Sequence, residues 1–458
     1  MSVPRLVLCG LEPGPAVPLA AGALLAAFAG AGDVRPVMVG VDLPLWRLLS
    51  DVSTRAPRAL DRRLMDEAVW LELYDAWSSG SDLAALVAVD PALDRWQSVP
   101  GTRAVDVAVT LDAPLIVVVD ARERGVTAAA AACGLRGLAR RAEFGGAIVV
   151  GGDERGAAEG LRASLEEDAG LPVLGWMPPQ LSDQFARQYG GPGPLRVIGP
   201  PPVKGGVAAL CREAAGYLQR DAIAAVASRR GFVAAHPRSV LVPAAEAAGL
   251  TVAVAWGEPL VPFALENLDM LKALGVDLAP LHLARDRAVP AGAHGLLLAG
   301  LLDEAELEQF AANAELKAAL GEAVAAGFPI LAFGGGALLM LRRLVDCRSR
   351  SHDLAGVLPA EAELLEWYGR PHYVRARAAP GHPYDDGEAV LHELFDLEFL
   401  TLERQASAYL VGAPGGDEQA EGLVRGRCLA TTLVPSLPAR PRLAARFVAA
   451  MREGSAAQ

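Results

Sequence analysis

The chain alternates short, continuously apolar runs with longer Ala-rich stretches in which polar residues recur at helical spacing. Arg5–Gly10, Val34–Gly40, Ala84–Val89, Leu115–Asp120, Ala147–Gly151 and Val173–Trp176 read as strands. Stretches such as Val17–Ala29, Val126–Arg140 and Glu154–Ala169 read as the helices between them. Unbroken apolar strands separated by helices predict a parallel sheet covered on both faces. Residues 190–205 form a Gly/Pro-rich break, and a helix is expected at about Gly206–Ser228. A second series begins at Thr251–Trp256 and runs through Leu260–Leu274, Gly295–Ala299, Ala305–Ala326 and Pro329–Phe333 to a helix at Gly335–Val345. The tail from about 354 to 432 reads as strands, closed by a helix at Arg442–Arg452. The expectation is an α/β protein of two tandem domains, 1–190 and 249–455, joined by a linker and connecting helix over 191–248. No short repeat is visible.

Composition narrows this picture. Of 458 residues, 52% are hydrophobic and 21% charged, which excludes a disordered chain. The net charge of −12 gives no basic footprint, so no nucleic-acid partner is expected. A mean hydropathy of +0.28 raises the question of membrane spans. The most apolar run, Ala16–Gly30, contains Pro18 and is too short to cross a bilayer. With Arg5 ahead of it this region has the outline of a signal peptide, but the strand-then-helix opening of an α/β domain fits better. The five cysteines are scattered without a CxxC pair, and no H-x-x-H or HExxH spacing occurs. Neither a disulfide framework nor a metal centre is expected, and a reducing cytoplasm fits. No cofactor and no membrane partner are expected.

In open α/β sheets ligands sit beyond the carboxyl ends of the strands, so the loops there carry the chemistry. The first such loop is Gly10-Leu11-Glu12-Pro13-Gly14-Pro15-Ala16-Val17-Pro18, placed as a phosphate-binding loop would be. A working loop of that kind needs backbone amides, a Lys for the β/γ-phosphates and a Ser/Thr for Mg²⁺. Here the Lys position is Val17 and the next is Pro18, while three prolines remove amide donors and Glu12 repels anions.

Further segments extend the pattern: Val37–Asp42, Arg55–Asp61, Leu115–Ala121, Gly170–Gly175, Glu266-Asn267-Leu268, Pro329–Gly336, His392-Glu393 and Gly422–Ala430. In this order and spacing they resemble the cobyrinic acid a,c-diamide synthase family over nearly the whole chain. The resemblance implies a dethiobiotin-synthetase-like amidoligase with a P-loop-NTPase-like sheet, followed by a class I glutamine amidotransferase-like domain. In that family ATP activates a carboxylate on a tetrapyrrole rim, and a Cys–His pair releases ammonia from glutamine.

Carried over residue by residue, the resemblance implies that both sites are altered. A family Lys falls at Met38, a family acid at Val87 and a family Asn at Val150. The carboxylates Asp42, Asp94 and Asp120 keep their places, either as Mg²⁺ ligands or as strand ends and helix caps. The nucleophile position before Gly335-Gly336 is Gly334, and the family's His-Leu-His stretch is Val434-Pro435-Ser436. The oxyanion loop reads Ala299-Gly300-Leu301. Candidate ligand contacts that remain are Gly101 and Thr102, which otherwise form a helix cap, and His392-Glu393, which otherwise is a structural hydrogen bond. His372 and His382 share a loop with Tyr373, Tyr384, Asp385 and Asp386, and Arg58, Arg103, Arg370 and Arg375 are available for ligand carboxylates. Because Val17, Met38, Val87 and Val150 are apolar, the nucleotide pocket is expected to be filled by side chains.

These positions lead to an inactive homologue that serves as a scaffold, a regulatory subunit or a tetrapyrrole binder. It would form a homodimer or pair with an active paralogue. The alternatives are an active amidoligase of altered chemistry and a purely structural interaction module.

Overall fold

The computed structural model describes residues 3–93, 102–122, 124–152, 157–189, 206–229, 239–241, 247–256, 260–261, 264–302, 307–385, 387–402, 406–412 and 418–456. Its contacts divide the chain into two units. The first comprises residues 1–62, 73–195 and 199–236, and the second 63–72, 196–198 and 237–458.

In order, the first series is β1 (Arg5–Gly10), α1 (Ala16–Phe28), β2 (Val34–Val39), α2 (Leu43–Val52), β3 (Arg58–Leu60), α3 (Glu67–Ser78), β4 (Leu83–Ala88), α4 (Ala104–Thr110), β5 (Leu115–Asp120), α5 (Val126–Leu138), β6 (Phe144–Val150), α6 (Ala157–Ala163), β7 (Val173–Met177), α7 (Pro179–Tyr189), α8 (Gly206–Ala215) and α9 (Arg220–Ala227). The seven strands form one parallel sheet in the order β3-β2-β4-β1-β5-β6-β7. Every residue of β1 and β4 is buried, as strands covered on both faces must be. The three-residue strand β3 was not legible in the sequence. The helix expected at 206–228 is two helices, broken after Ala215. Both belong to the first unit rather than to a connection. Gly22 of α1 admits the Cys211 side chain of α8 so closely that a Cβ there would overlap its sulfur.

The second series is β8 (Thr251–Ala255), β9 (Leu260–Val261), α10 (Glu266–Ala273), β10 (Asp277–Leu281), β11 (Gly295–Leu302), α11 (Leu307–Ala312), α12 (Ala314–Ala325), β12 (Ile330–Gly334), α13 (Gly335–Leu339), β13 (Leu341–Val345), β14 (Ser351–Asp353), β15 (Leu358–Ala378), β16 (Glu388–Leu402), β17 (Tyr409–Val411), β18 (Gln419–Glu421), β19 (Leu423–Arg425), β20 (Cys428–Thr431), β21 (Leu433–Val434) and α14 (Pro441–Ala456). One sheet runs β10-β8-β11-β12-β20-β19, parallel except for the β19–β20 hairpin. Another runs β14-β13-β15-β16-β21, dominated by the long antiparallel pair β15–β16.

The helix expected over 335–345 stops at Leu339, and Leu341–Val345 is a strand. There Leu341 and Leu344 are buried while Arg342 and Arg343 are exposed, and β14 and β15 supply the ladder partners. Asn313 splits the helix expected over 305–326. Its side chain accepts from Leu316 N at 3.3 Å and donates to Leu283 O at 3.0 Å and Asp286 O at 2.8 Å. No helix among the described residues is long and apolar enough to cross a membrane.

Candidate functional site

In the first unit, the loop after β1 and the loop after β5 meet at the carboxyl end of the sheet. Asp120, the last residue of β5, accepts from Arg122 at Nε (2.9 Å), Nη2 (2.5 Å) and the backbone N (3.2 Å). Glu12 pairs with Arg124 at 2.6 Å. These four residues, with Pro179 and Asp183, line a cleft of about 500 Å³. Three carboxylates face two guanidiniums, and each guanidinium already has a carboxylate partner inside the chain.

The apolar positions behave differently from the cleft. Val17, Met38, Val87 and Val150 are all buried, with Met38 and Val87 side by side in register. Val17 also folds over Gly10, leaving no room for a Cβ there. The expectation of a pocket filled by apolar side chains is therefore corrected. The strand-borne positions are packed away, but the cleft beyond them stays open, because the loop residues that line it are charged and solvated.

The remaining first-unit candidates are accounted for as follows. Asp42 caps α2, accepting from Leu45 N at 2.9 Å. Asp94 and Gly101 lie outside the described residues. Thr102 is buried just ahead of α4, but the cap position is Arg103, whose guanidinium grips Asp106 at 2.7 and 2.9 Å. Arg58 lies over the Trp77 ring at 5.4 Å.

In the second unit, β12 ends on Gly334, which turns the chain sharply into α13 with φ +57° and ψ −124°. Only glycine adopts such a backbone without strain. A Cβ at this position would lie 3.0 Å from Val434 Cγ2, 3.2 Å from Gly300 O and 3.4 Å from Leu394 Cδ1. Val434 sits in β21 opposite His392, and Leu433 opposite Glu393. The fold thus assembles Gly334, Val434 and the His392–Leu394 segment, which are far apart in sequence. On the other side of the turn, a Cβ on Gly335 would lie 2.8 Å from Leu302 N and 3.0 Å from Leu260 Cδ2. The segment Ala299-Gly300-Leu301, expected as a loop, is instead continuous strand, and Leu301 and Leu302 pair with β9. Extending β11 lets the short β9 bring Leu260 against the turn.

His392 is buried with its ring edge-on to Tyr373, centroids 5.1 Å apart. Glu393 lies 3.8 Å from His372 Nδ1, and burial, opposed by His372, pushes its carboxyl above the usual range. Glu421 was not singled out in the sequence. It accepts from Thr431 Oγ1 at 2.6 Å and from Thr432 N and Oγ1 at 2.9 Å, and burial outweighs these bonds to raise its pKa. The adjacent Thr431-Thr432 pair is the signal that could have located it. Ser436 is buried with its hydroxyl unpartnered, and Asn267 holds the turn around it by donating to Pro435 O at 2.9 Å and accepting from Leu437 N at 2.6 Å.

His372 and Tyr373 belong to β15, not to a loop, whereas His382, Tyr384 and Asp385 form the turn beyond it. Asp386 is outside the described residues, as is the side chain of Arg370. Arg375 forms an exposed pair with Glu388 at 3.6 Å. No group of three or more metal-ligating side chains gathers among the described residues.

No family model matches the chain. Curated proteins match almost end to end. A cobyrinate a,c-diamide synthase of Dehalococcoides mccartyi (strain CBDB1) is 24% identical over 461 residues, spanning 98% of this chain and 98% of that protein. A cobyrinate a,c-diamide synthase of Methanosarcina acetivorans is 24% identical across 83% of this chain and 77% of its own length. A hydrogenobyrinate a,c-diamide synthase of Mycobacterium bovis is 26% identical across 93% of each. With two α/β units, the chain is similar along nearly its whole length to proteins of the cobyrinic acid a,c-diamide synthase family.

Proposed function

We propose that this chain is a catalytically inactive member of its family, acting as a scaffold, a regulatory subunit or a tetrapyrrole-binding protein in cobalamin-type tetrapyrrole biosynthesis. The observation that carries this reading is the turn at Gly334. Nucleophilic hydrolysis of glutamine needs a thiol or hydroxyl beside a base. At the sharp strand-to-helix turn there is a glycine, and Val434, Leu394 and Leu260 crowd its surroundings. The closed ion pairs Glu12–Arg124 and Asp120–Arg122 support the same reading for the nucleotide side, since a triphosphate would have to displace both carboxylates. The test is incubation of the pure protein with glutamine, ATP-Mg²⁺ and cobyrinate. No glutamate and no ADP should appear; steady glutamate release would overturn the reading. Titration with cobyrinate, followed in the visible spectrum, then separates a tetrapyrrole binder from a scaffold.

A second reading, an ATP-dependent amidoligase fed by free ammonia, is favoured by one observation. Arg122 and Arg124 bring two guanidiniums into the open cleft, and guanidinium is well suited to phosphate. ADP release that depends on ammonia, abolished in Arg124→Ala, would establish this reading in place of the first.

A further inference from the structure

Strands β8 and β10 run parallel, with Ala255 opposite Leu281 at their carboxyl ends. The next residues are Trp256 and His282. Trp256 N donates to Leu281 O at 2.9 Å, so the ladder continues and holds these two residues side by side, about 5 Å apart. After His282 the chain turns tightly. Arg285 N and Asp286 N donate to His282 O at 3.0 and 2.8 Å, and Asp286 Oδ2 accepts from His282 N at 2.7 Å. These bonds keep Arg285 within one turn of His282. Trp256 is 46% exposed, Arg285 is exposed and His282 is half-buried. None of the three side chains makes a hydrogen bond, ion pair or ring contact with another described residue. Two residues on, by contrast, Arg287 donates to Asn313 Oδ1 at 3.1 Å. The indole also lines an apolar hollow of about 10 Å³ with Ala264, Leu265, Leu268, Leu297 and Ala299. That space holds no more than a water, so a ligand would lie on the exposed part of the indole.

A Trp left half in water at the carboxyl end of a parallel sheet stands where open α/β sheets bind ligands. Its indole supplies a flat π surface. Arg285 supplies a guanidinium shaped for a carboxylate or phosphate. His282 adds ring nitrogens that donate or accept a hydrogen bond. We propose that Trp256, His282 and Arg285 form a binding site for a planar conjugated ring that carries a carboxylate or phosphate. The ring lies on the indole and its anionic group meets Arg285. The site is separate from the turn at Gly334, because β8 lies two strands from β12, about 10 Å across the sheet. It is also separate from the cleft at Asp120, which belongs to the first unit. Tetrapyrroles with acidic rims and flavin phosphates both have this chemistry.

The test titrates the full chain with two probes, sirohydrochlorin followed in its visible spectrum and flavin mononucleotide followed by fluorescence quenching. At least one should bind saturably, and the one that does identifies the ring. Trp256→Ala should weaken that binding by about tenfold or more, and Trp256→Phe should restore most of it. Arg285→Glu should weaken it by a similar factor and remove its salt dependence. All three substitutions fall on side chains with no internal partner, so thermal melts should match the wild type. Arg124→Ala, in the other cleft, should leave the affinity unchanged. Absence of saturable binding of either probe below about 1 mM overturns the proposal. Binding that ignores Trp256→Ala and Arg285→Glu, or that is lost in Arg124→Ala, overturns it as well. None of these readouts depends on glutamate or ADP, so the inference and the proposed inactivity fail separately.

Discussion

Val434 stands in the space that a side chain at position 334 would claim: its Cγ2 lies 3.0 Å from where a Cβ on Gly334 would be. The relationship spans a hundred residues of sequence. The turn lacks a nucleophile, a side chain placed there would press on Val434, which would have to give by a few tenths of an ångström, and Val434 and Ser436 supply no base. Gly334→Cys should therefore fail to produce glutaminase activity. The positive φ and the contact with Val434 should cost about 1–3 kcal/mol of stability. A glutamate-release assay and a urea melt read the two outcomes; activity from this single change would refute the packing argument.

Asn267→Leu removes the donor to Pro435 O and the acceptor for Leu437 N, leaving two buried backbone groups without partners. A loss of about 2–4 kcal/mol is expected. Chemical denaturation of the purified variant measures it, and a change below about 0.5 kcal/mol would mean that water or a shifted turn restores both bonds.

His382 makes the fold sensitive to mild acid. Burial, opposed by Asp385 and aided by Arg440 and Arg446, lowers its pKa to about 4. Its Nδ1 accepts from Tyr384 N at 3.1 Å and Asp385 N at 2.9 Å, which requires a neutral ring. The unfolded chain binds the proton near its ordinary value of 6.5, above the folded one. Stability from this residue is therefore complete above pH 6.5 and is lost as pH falls towards 4, by on the order of 3 kcal/mol. In His382→Asn, whose amide oxygen can accept at the Nδ1 position, the slope of stability against pH over that window should flatten. An unchanged slope would assign the acid sensitivity elsewhere.

Thiol chemistry should separate the cysteines by depth. Cys347 is exposed and Cys133 half-buried, while burial pushes the thiols of Cys9, Cys211 and Cys428 up to about 12. A disulfide reagent added to native protein should modify Cys347 first and Cys133 more slowly, with the other three following only on unfolding. Cys347→Ser should remove the fast phase; its persistence would contradict the exposure of this side chain.

Much of the architecture was legible because strand and helix leave different periods in the chain. β1 and β5 fall on the residues the apolar runs marked, and β2, β4, β7 and β8 within one residue of them. The exceptions share a cause. Leu341–Val345 resembles a helical continuation in local composition, and its strand state comes from the ladders to β14 and β15. Ala299–Leu301 looked like a loop because its partner, β9, is two residues long and has no pattern of its own. Of the candidate site, the glycine at 334 and the apolar Val17 and Val434 could be read directly, since a missing functional group is a property of the residue itself.

What the chain cannot display along its length is which residues share space. That Val434 packs on Gly334, that Arg124 answers Glu12 and Arg122 answers Asp120, and that Glu363 faces Glu398 all depend on strand order and register. The sequence by itself determined the α/β class, the alternation of elements and the loss of chemical groups, because these follow from periodicity and side-chain identity. Only the tertiary structure decided that the turn at Gly334 is closely packed by Val434 and Leu394 while the cleft at Asp120 stays open. Apolar side chains reach zero exposure only when non-local neighbours close over them. Paired charges can stay at the surface with water on one side.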